Sequence, residues 1–441
     1  MKVGIFGYVN CIMKNEICQY ISEYRLNKFV IKANVQDGWM LYNTTTGGVV
    51  FIQSEADLYE SLNKLVELYY YVPLSFDEVK WVNKLREETN SASKVNYING
   101  FTILTTTDCN AKCFYCYEKG LPRVTMTDKI AKDVADYIIK VSSDAPVHLR
   151  WFGGEPLLNH NAIDIISNNL NENGIKFQST MISNGLLFTD SIIKKAKSLW
   201  KLKKIQITLD GTKVVYQNAK SFKEADGNEF QRVTDNISKL SDANIRVSIR
   251  LNQDFYNTTD LLELVDYLTS KFRKNKHISV YNNWLYGENG ETTNLIEASK
   301  YEKFKQLQGK LIRCGLFHRY PLEKRIRLSH CMADNDASVL ITPEGNIGKC
   351  EHLTNQHLIG SIYNTESDYR EILRWKEQYQ PTPKCFECPL YPQCVRIKMC
   401  PVESEICSWD QCENKIELIK MALVKKYESF RNKIETTENE V

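Results

Sequence analysis

Fourteen cysteines in 441 residues are unevenly placed: Cys109, Cys113 and Cys116 fall within eight residues, and nine more lie from Cys314 to Cys412. Scattered structural thiols would not bunch this way. Outside an oxidising compartment such a set points to metal binding or catalysis rather than disulfides. The first group reads TTTDCNAKCFYCYEKG, a C-x3-C-x2-C array. Three thiolates on one tight loop can converge on a polynuclear centre; four would complete a [4Fe–4S] cluster, so three leave one iron without a protein ligand. An open coordination position is what separates a catalytic metal centre from a structural one. The alternative is a structural zinc loop, which would want a fourth ligand nearby, and no His or Cys follows closely.

The elements around this loop read as βα units. Short apolar runs at 101–106, 147–152, 176–182, 204–209, 245–251 and 277–283 alternate with amphipathic stretches such as Ile130, Val134, Tyr137 and Ile138. Periodicity fits an open sheet and a barrel equally. In either, chemistry sits at the C-terminal ends of the strands, and the cysteine loop directly follows the first run. The second run ends at Gly153-Gly154-Glu155-Pro156, where glycines let the backbone approach a ligand and a carboxylate can accept hydrogen bonds from an ammonium group. Ser183-Asn184-Gly185 ends the third and Asp210-Gly211 the fourth, and Arg250 lies on the fifth.

The cysteine array together with this ordered set resembles the radical SAM signature. The resemblance implies that the open iron chelates the amino and carboxylate groups of S-adenosylmethionine, whose reductive cleavage yields a 5′-deoxyadenosyl radical. It further implies that Tyr115 flanks adenine and that Gly153, Gly154, Glu155 and Pro156 hold the methionyl amine. Ser183 and Asn184 would bind ribose and carboxylate, with Arg250 a partner for the methionyl carboxylate. The fold it implies is α/β, a partial (β/α)6 TIM-like barrel with an N-terminal α+β domain and a C-terminal cysteine-rich cluster-binding domain. One departure stands out: related maturases often carry His-Asp-x-x-Arg after the Asp-Gly, and here the stretch reads Tyr216-Gln217-Asn218-Ala219-Lys220.

In the second cysteine field, Cys331, Gly345 and Cys350 resemble the first half of the SPASM motif, and Cys385-x2-Cys388-x5-Cys394 with Cys400 its second half. The family has three residues where this chain has five before Cys400. The resemblance implies two auxiliary [4Fe–4S] clusters. One would use Cys331, Cys350 and Cys400, with Cys314 completing it or an iron left open; the other would use Cys385, Cys388, Cys394 and either Cys407 or Cys412. Taken alone, C-x2-C-x5-C also fits a zinc ribbon. Glu351 falls where some relatives place a catalytic carboxylate. Cys11 and Cys18 read as buried small residues.

Three domains follow: 1–98, 99–300 and 301–441. In the first, apolar stretches at 28–34, 39–42 and 49–52 are separated by the turn signals Asp37-Gly38 and Gly47-Gly48. A helix then carries Leu58, Leu62, Leu65, Val66 and Tyr69, and a capping-box pattern at Ser75 and Glu78 opens the next. Such a unit resembles leader-recognition domains that add a peptide as a strand to a sheet edge. A closing helix over 414–430 carries Ile416, Ile419, Leu423 and Tyr427 on one face, before a polar tail.

Composition narrows the classes. At 43% hydrophobic and 25% charged residues, wholesale disorder is excluded. The 57 Lys and Arg against 54 Asp and Glu leave +3, too balanced for nucleic acid or an anionic membrane as main partner. No apolar run approaches the ~20 residues of a membrane span. The N-terminus lacks a signal-peptide pattern, so a cytoplasmic protein is expected. The resemblance implies a peptide maturase that forms a thioether or carbon–carbon crosslink, with a precursor peptide and a low-potential donor such as flavodoxin or ferredoxin as partners. The rivals are a sulfatase-maturating enzyme and a non-enzymatic iron–sulfur or zinc protein for electron transfer or binding.

Overall fold

The computed structural model describes residues 23–285, 298–318, 320–328, 331–352, 357–364, 368–375, 381–394 and 409–438. The first elements are β1 (Tyr24–Leu26), β2 (Val30–Val35), β3 (Gly38–Asn43), β4 (Val49–Ile52), α1 (Glu55–Glu67), β5 (Tyr71–Pro73) and α2 (Glu78–Ala92). β2, β3 and β4 form an antiparallel sheet. Gly38 occupies its first hairpin at φ +141°, where a Cβ would lie 2.1 Å from the Ile52 carbonyl oxygen. The capping box expected at Ser75 and Glu78 does not form. Asp77 caps α2 by accepting from the Lys80 N–H at 2.9 Å. Glu78 instead turns inward, to Arg25 at 2.7 Å and the Lys28 N–H at 2.8 Å.

The βα series comprises β6 (Gly100–Thr106), α3 (Asp128–Val141), β7 (Val147–Gly153), α4 (His160–Glu172), β8 (Phe177–Ser183), α5 (Asp190–Ser198), β9 (Leu202–Leu209), α6 (Lys213–Lys220), α7 (Glu229–Asp242), β10 (Arg246–Gln253), α8 (Thr258–Phe272) and β11 (Ile278–Trp284). The six strands from β6 to β11 lie parallel and in chain order. One face of each buries alternate apolar residues, among them Ile103, Leu149, Met181, Ile205 and Ile249, in a core shared with Val134, Ile163, Ile237 and Leu264 of the helices. The other face is concave and holds a smaller cluster of Leu104, Phe152 and Ile182.

After α9 (Ala298–Arg313), β12 (Ser338–Ile341) pairs in parallel with β6, so among the described residues the sheet extends at that edge instead of closing. β13 (Asn346–Gly348) and β14 (Gly360–Ser361) continue it antiparallel. This is the expected α/β partial barrel, its sheet running on into the cysteine-rich region. The remaining helices are α10 (Tyr369–Arg374), α11 (Pro383–Glu387) and α12 (Trp409–Glu438). The expected closing helix is longer than 414–430, and its Ile419, Leu423 and Tyr427 bury against Ile31, Ala33, Met40 and Tyr42 of the N-terminal sheet. Among the described residues no helix is long and apolar enough to cross a membrane.

Candidate active site

The cysteine loop leaves the C-terminal end of β6 and is braced from two strand ends and one helix end. Gly154 N–H donates to the Thr106 carbonyl at 3.1 Å and Glu155 N–H to the Asp108 carbonyl at 2.9 Å. A Cβ on Gly153 would lie 2.1 Å from the Thr106 oxygen, and one on Gly154 2.2 Å from the Asp108 oxygen. The glycines therefore admit the cysteine segment's own backbone, the close approach that the sequence suggested for a ligand. From β8, the Asn184 side-chain amide donates to Asn110 Oδ1 at 2.7 Å. From the end of α6, the carbonyl of Lys220 accepts from the Lys112 N–H at 2.9 Å.

Glu155 is fully buried, and its carboxylate knits β7 to β8. The Ser183 hydroxyl lies 2.9 and 3.1 Å from its two oxygens, the Asn184 N–H donates at 2.8 Å and the Leu157 N–H at 3.1 Å. Burial outweighs these donors and pushes the carboxyl up to about 7. Pro156 opens a short 3₁₀ turn after it.

A second polar cluster sits on the other side of the loop. The Tyr115 hydroxyl donates to Asp210 Oδ2 at 2.8 Å and accepts from Lys220 Nζ at 2.9 Å, and Lys220 pairs with Asp210 at 3.1 Å. Asn252 Nδ2 donates to Asp210 Oδ1 at 3.0 Å, and Arg250 Nε to Asn252 Oδ1 at 2.8 Å. The chain thus links Tyr115, Asp210, Asn252 and Arg250 across three elements. Lys220, noticed in the sequence only as a departure from the family's His-Asp-x-x-Arg, supplies the buried cation at its centre.

Cys109, Cys113 and Cys116 are all partly buried. Burial pushes the Cys109 thiol up to about 12 and raises Cys116 as well. Among the described residues no three Cys, His, Asp or Glu side chains are gathered closely enough to hold a single ion. The fit to a cluster rests on donor chemistry. Three thiols without an interposed carboxylate form a soft set suited to iron–sulfur, whose ligands attach to separate irons and stand further apart than those of one ion.

The second field divides in two. Cys331 and Glu351 line one cavity with the barrel's concave face, and Cys350 is buried beside Ala333 and Trp375. Cys385 and Cys388 pack with Phe29, Val82 and Tyr391, and Cys388 also shares a cluster with Cys412. Cys11, Cys18, Cys400 and Cys407 lie outside the described residues. Cys314 packs against the barrel core. Two connections had no sequence signal. Tyr117, next to Cys116, stacks on His352, two residues past Cys350, with ring centroids 4.3 Å apart. Arg86 of α2 donates to the carbonyls of Tyr391, Pro392 and Cys394 at 2.7, 3.3 and 3.0 Å.

Comparison with known proteins agrees with this geometry. Residues 103–268 match the family described as the Radical SAM superfamily. The chain thus carries a radical SAM domain across the βα series from β6 to α8, followed by a cysteine-rich C-terminal region. A radical SAM fold implies a [4Fe–4S] cluster and S-adenosylmethionine as cofactors. In sequence the chain is 26% identical over 275 residues to an uncharacterized protein of Methanocaldococcus jannaschii, covering 58% of this chain and 86% of that one. It is 25% identical to GTP 3',8-cyclase of Clostridium perfringens, covering 58% and 81%. In fold it is similar to anSMEcpe with bound AdoMet (TM-score 0.56, 14% identity, 74% of this chain and 98% of that one). It is also similar to Streptococcus suis SuiB bound to precursor peptide SuiA (TM-score 0.51, 13% identity, 84% and 94%).

Proposed function

We propose that the protein cleaves S-adenosylmethionine reductively and abstracts hydrogen from a side chain of a ribosomally made peptide, forming a thioether or carbon–carbon crosslink. The observation that carries this reading is the three-thiol loop at the end of β6, tied to four strand ends by the Glu155 and Asp210 clusters. Cys109, Cys113 and Cys116 would hold a [4Fe–4S] cluster, which would supply the electron for splitting the sulfonium, drawn from a low-potential donor such as flavodoxin or ferredoxin. The protein's own part is to bind and orient. Tyr115, held by Asp210 and Lys220, walls the nucleoside side. Gly153, Gly154, Glu155 and Pro156 form the amine side, Ser183 and Asn184 reach ribose and carboxylate, and Arg250 completes the carboxylate end.

Cys331, Cys350 and Cys400 would hold one auxiliary cluster, with Cys314 completing it or an iron left open, and Cys385, Cys388, Cys394 and either Cys407 or Cys412 would hold another; these would take up the electron left after bond formation. Glu351, which lines the cavity, would meet substrate. A peptide substrate is supported by the likeness to SuiB, a protein whose structure holds a precursor peptide and whose match takes in more of this chain than that to anSMEcpe.

Anaerobically reconstituted, dithionite-reduced enzyme is expected to convert S-adenosylmethionine to 5′-deoxyadenosine, measured by liquid chromatography–mass spectrometry, and to carry about twelve irons per chain. Replacing Cys109, Cys113 and Cys116 together with Ala should abolish the product and leave about eight irons. Wild-type enzyme that leaves the nucleotide intact would overturn the reading.

A further inference from the structure

The concave face of the barrel sheet has a charge pattern that the reaction does not require. Strand register places Thr102, Arg150, Thr180, Lys204 and Arg246 in one row: Thr102 opposite Arg150, Arg150 opposite Thr180, Thr180 opposite Lys204, and Lys204 opposite Arg246. Two residues further along three of these strands, on the same face, come Leu104, Phe152 and Ile182. The half nearer the cysteine loop is therefore apolar and the half away from it cationic. The cationic half opens on a cavity of about 660 Å³. Its walls carry Arg150, Lys203, Lys204, Arg246 and Arg327 against the single carboxylate of Glu351 among the described residues.

Packing does not explain this. Barrel interiors filled for stability use branched apolar side chains. Like charges directly opposite on adjacent strands, as Lys204 and Arg246 are, destabilise a sheet. Arg150, Lys203, Arg246 and Arg327 are all exposed to the cavity's solvent. Cations of one sign on low-dielectric walls focus a positive potential into the space between them and concentrate anions there.

We propose that this row binds acidic side chains of the peptide substrate, holding its carboxylates on the barrel floor. The inference rests on the peptide-modifying reading above and names the chemistry of its substrate. From Arg150 on β7 to Arg246 on β10 is three strand spacings, about 14 Å, the length of about four extended residues. A row of that length meets the alternating carboxylates of an extended acidic segment. Cys331 and Glu351 on the same wall place that segment beside the second cysteine field.

The test uses full-length reconstituted enzyme with S-adenosylmethionine and two fluorescein-labelled decapeptides, one alternating glutamate with glycine and one alternating glutamine with glycine. Fluorescence anisotropy should show the acidic peptide binding about tenfold or more tighter, with the advantage shrinking as salt rises from about 50 to about 300 mM. The double variant Arg150→Gln, Arg246→Gln should lose most of that preference. The reversed variant Arg150→Glu should gain affinity for a lysine–glycine decapeptide, a readout that misfolding cannot produce. Equal affinity of wild-type enzyme for the acidic and neutral peptides overturns the proposal. So does GTP displacing the acidic peptide at concentrations below those at which the unlabelled peptide does so, which would assign the cations to nucleotide phosphates. S-adenosylmethionine cleavage is measured separately on wild-type enzyme, so its failure sinks the radical reaction and leaves the anion preference to stand on the binding data.

Discussion

Lys220 is 4% exposed and Asp210 2% exposed, a buried ion pair that also clamps the Tyr115 hydroxyl. Burial alone would lower the ammonium's pKa, but Asp210 and Tyr115 outweigh it and hold it well above the ordinary lysine value. Such a pair contributes little over an apolar replacement of both members. Removing one partner costs about 3–5 kcal/mol, because the other charge stays buried without compensation. Lys220→Met should therefore lower the urea midpoint strongly, and adding Asp210→Asn to it should recover part of the loss. Urea unfolding followed by circular dichroism gives the comparison, and a double variant as unstable as the sum of the two single ones would show that the groups do not act as a pair. Lys220→Arg keeps the charge and should retain most of the stability.

The link from α6 to α7 shows how local hydrogen bonds fix a segment beside the cysteine loop. Glu229, at the start of α7, accepts from the Asp226 and Gly227 N–H groups and from the Gln217 side chain at 2.9 Å. Burial would raise this carboxyl, yet these donors prevail and hold it at about 2. A carboxylate depressed in the folded state stabilises fully above its unfolded pKa and loses that contribution as pH falls through the folded one. Stability should therefore drop between about pH 5 and pH 2 by up to about 3 kcal/mol through this group. In Glu229→Gln that part of the drop should be missing from urea midpoints measured across the range; a variant with the wild-type pH profile would remove Glu229 from the account. Strand positions were legible because each is a short apolar run: β6 to β11 fall within one or two residues of the expected segments. The cap of α2 was misplaced because Ser75 and Asp77 both suit an N-terminus, and only the Arg25 and Lys28 contacts, fifty residues away in sequence, draw Glu78 inward. The motif glycines were legible as close-approach sites, but spacing alone could not reveal that the approaching partner is the chain itself.

The N-terminal unit packs directly on the last cysteine field. Arg86 is buried, and its guanidinium is shared among three carbonyls of the segment that carries Cys394. Around it, Tyr391 donates to Asn83 at 2.5 Å, Gln393 to the Thr44 carbonyl at 2.6 Å, and Thr44 to the Pro389 carbonyl at 2.6 Å. No sequence pattern announces this contact, because about three hundred residues separate the partners and each half is polar or aromatic without periodicity. It makes α2 part of the frame on which Cys385, Cys388 and Cys394 are spaced. Arg86→Gln would strip donors from buried carbonyls, each worth about 1–3 kcal/mol when left unsatisfied, and loosen that spacing. If the three cysteines hold a four-iron cluster, the variant should retain about eight irons per chain in place of about twelve, with the loss visible by electron paramagnetic resonance in an auxiliary signal. Arg86→Lys, which keeps a cation on a shorter side chain without the guanidinium's planar stacking on Tyr391, should fall between the two. An Arg86→Gln protein with full iron and an unchanged spectrum would mean that the N-terminal unit merely rests on the cysteine segment. A loss of iron would mean that the two are one structural body.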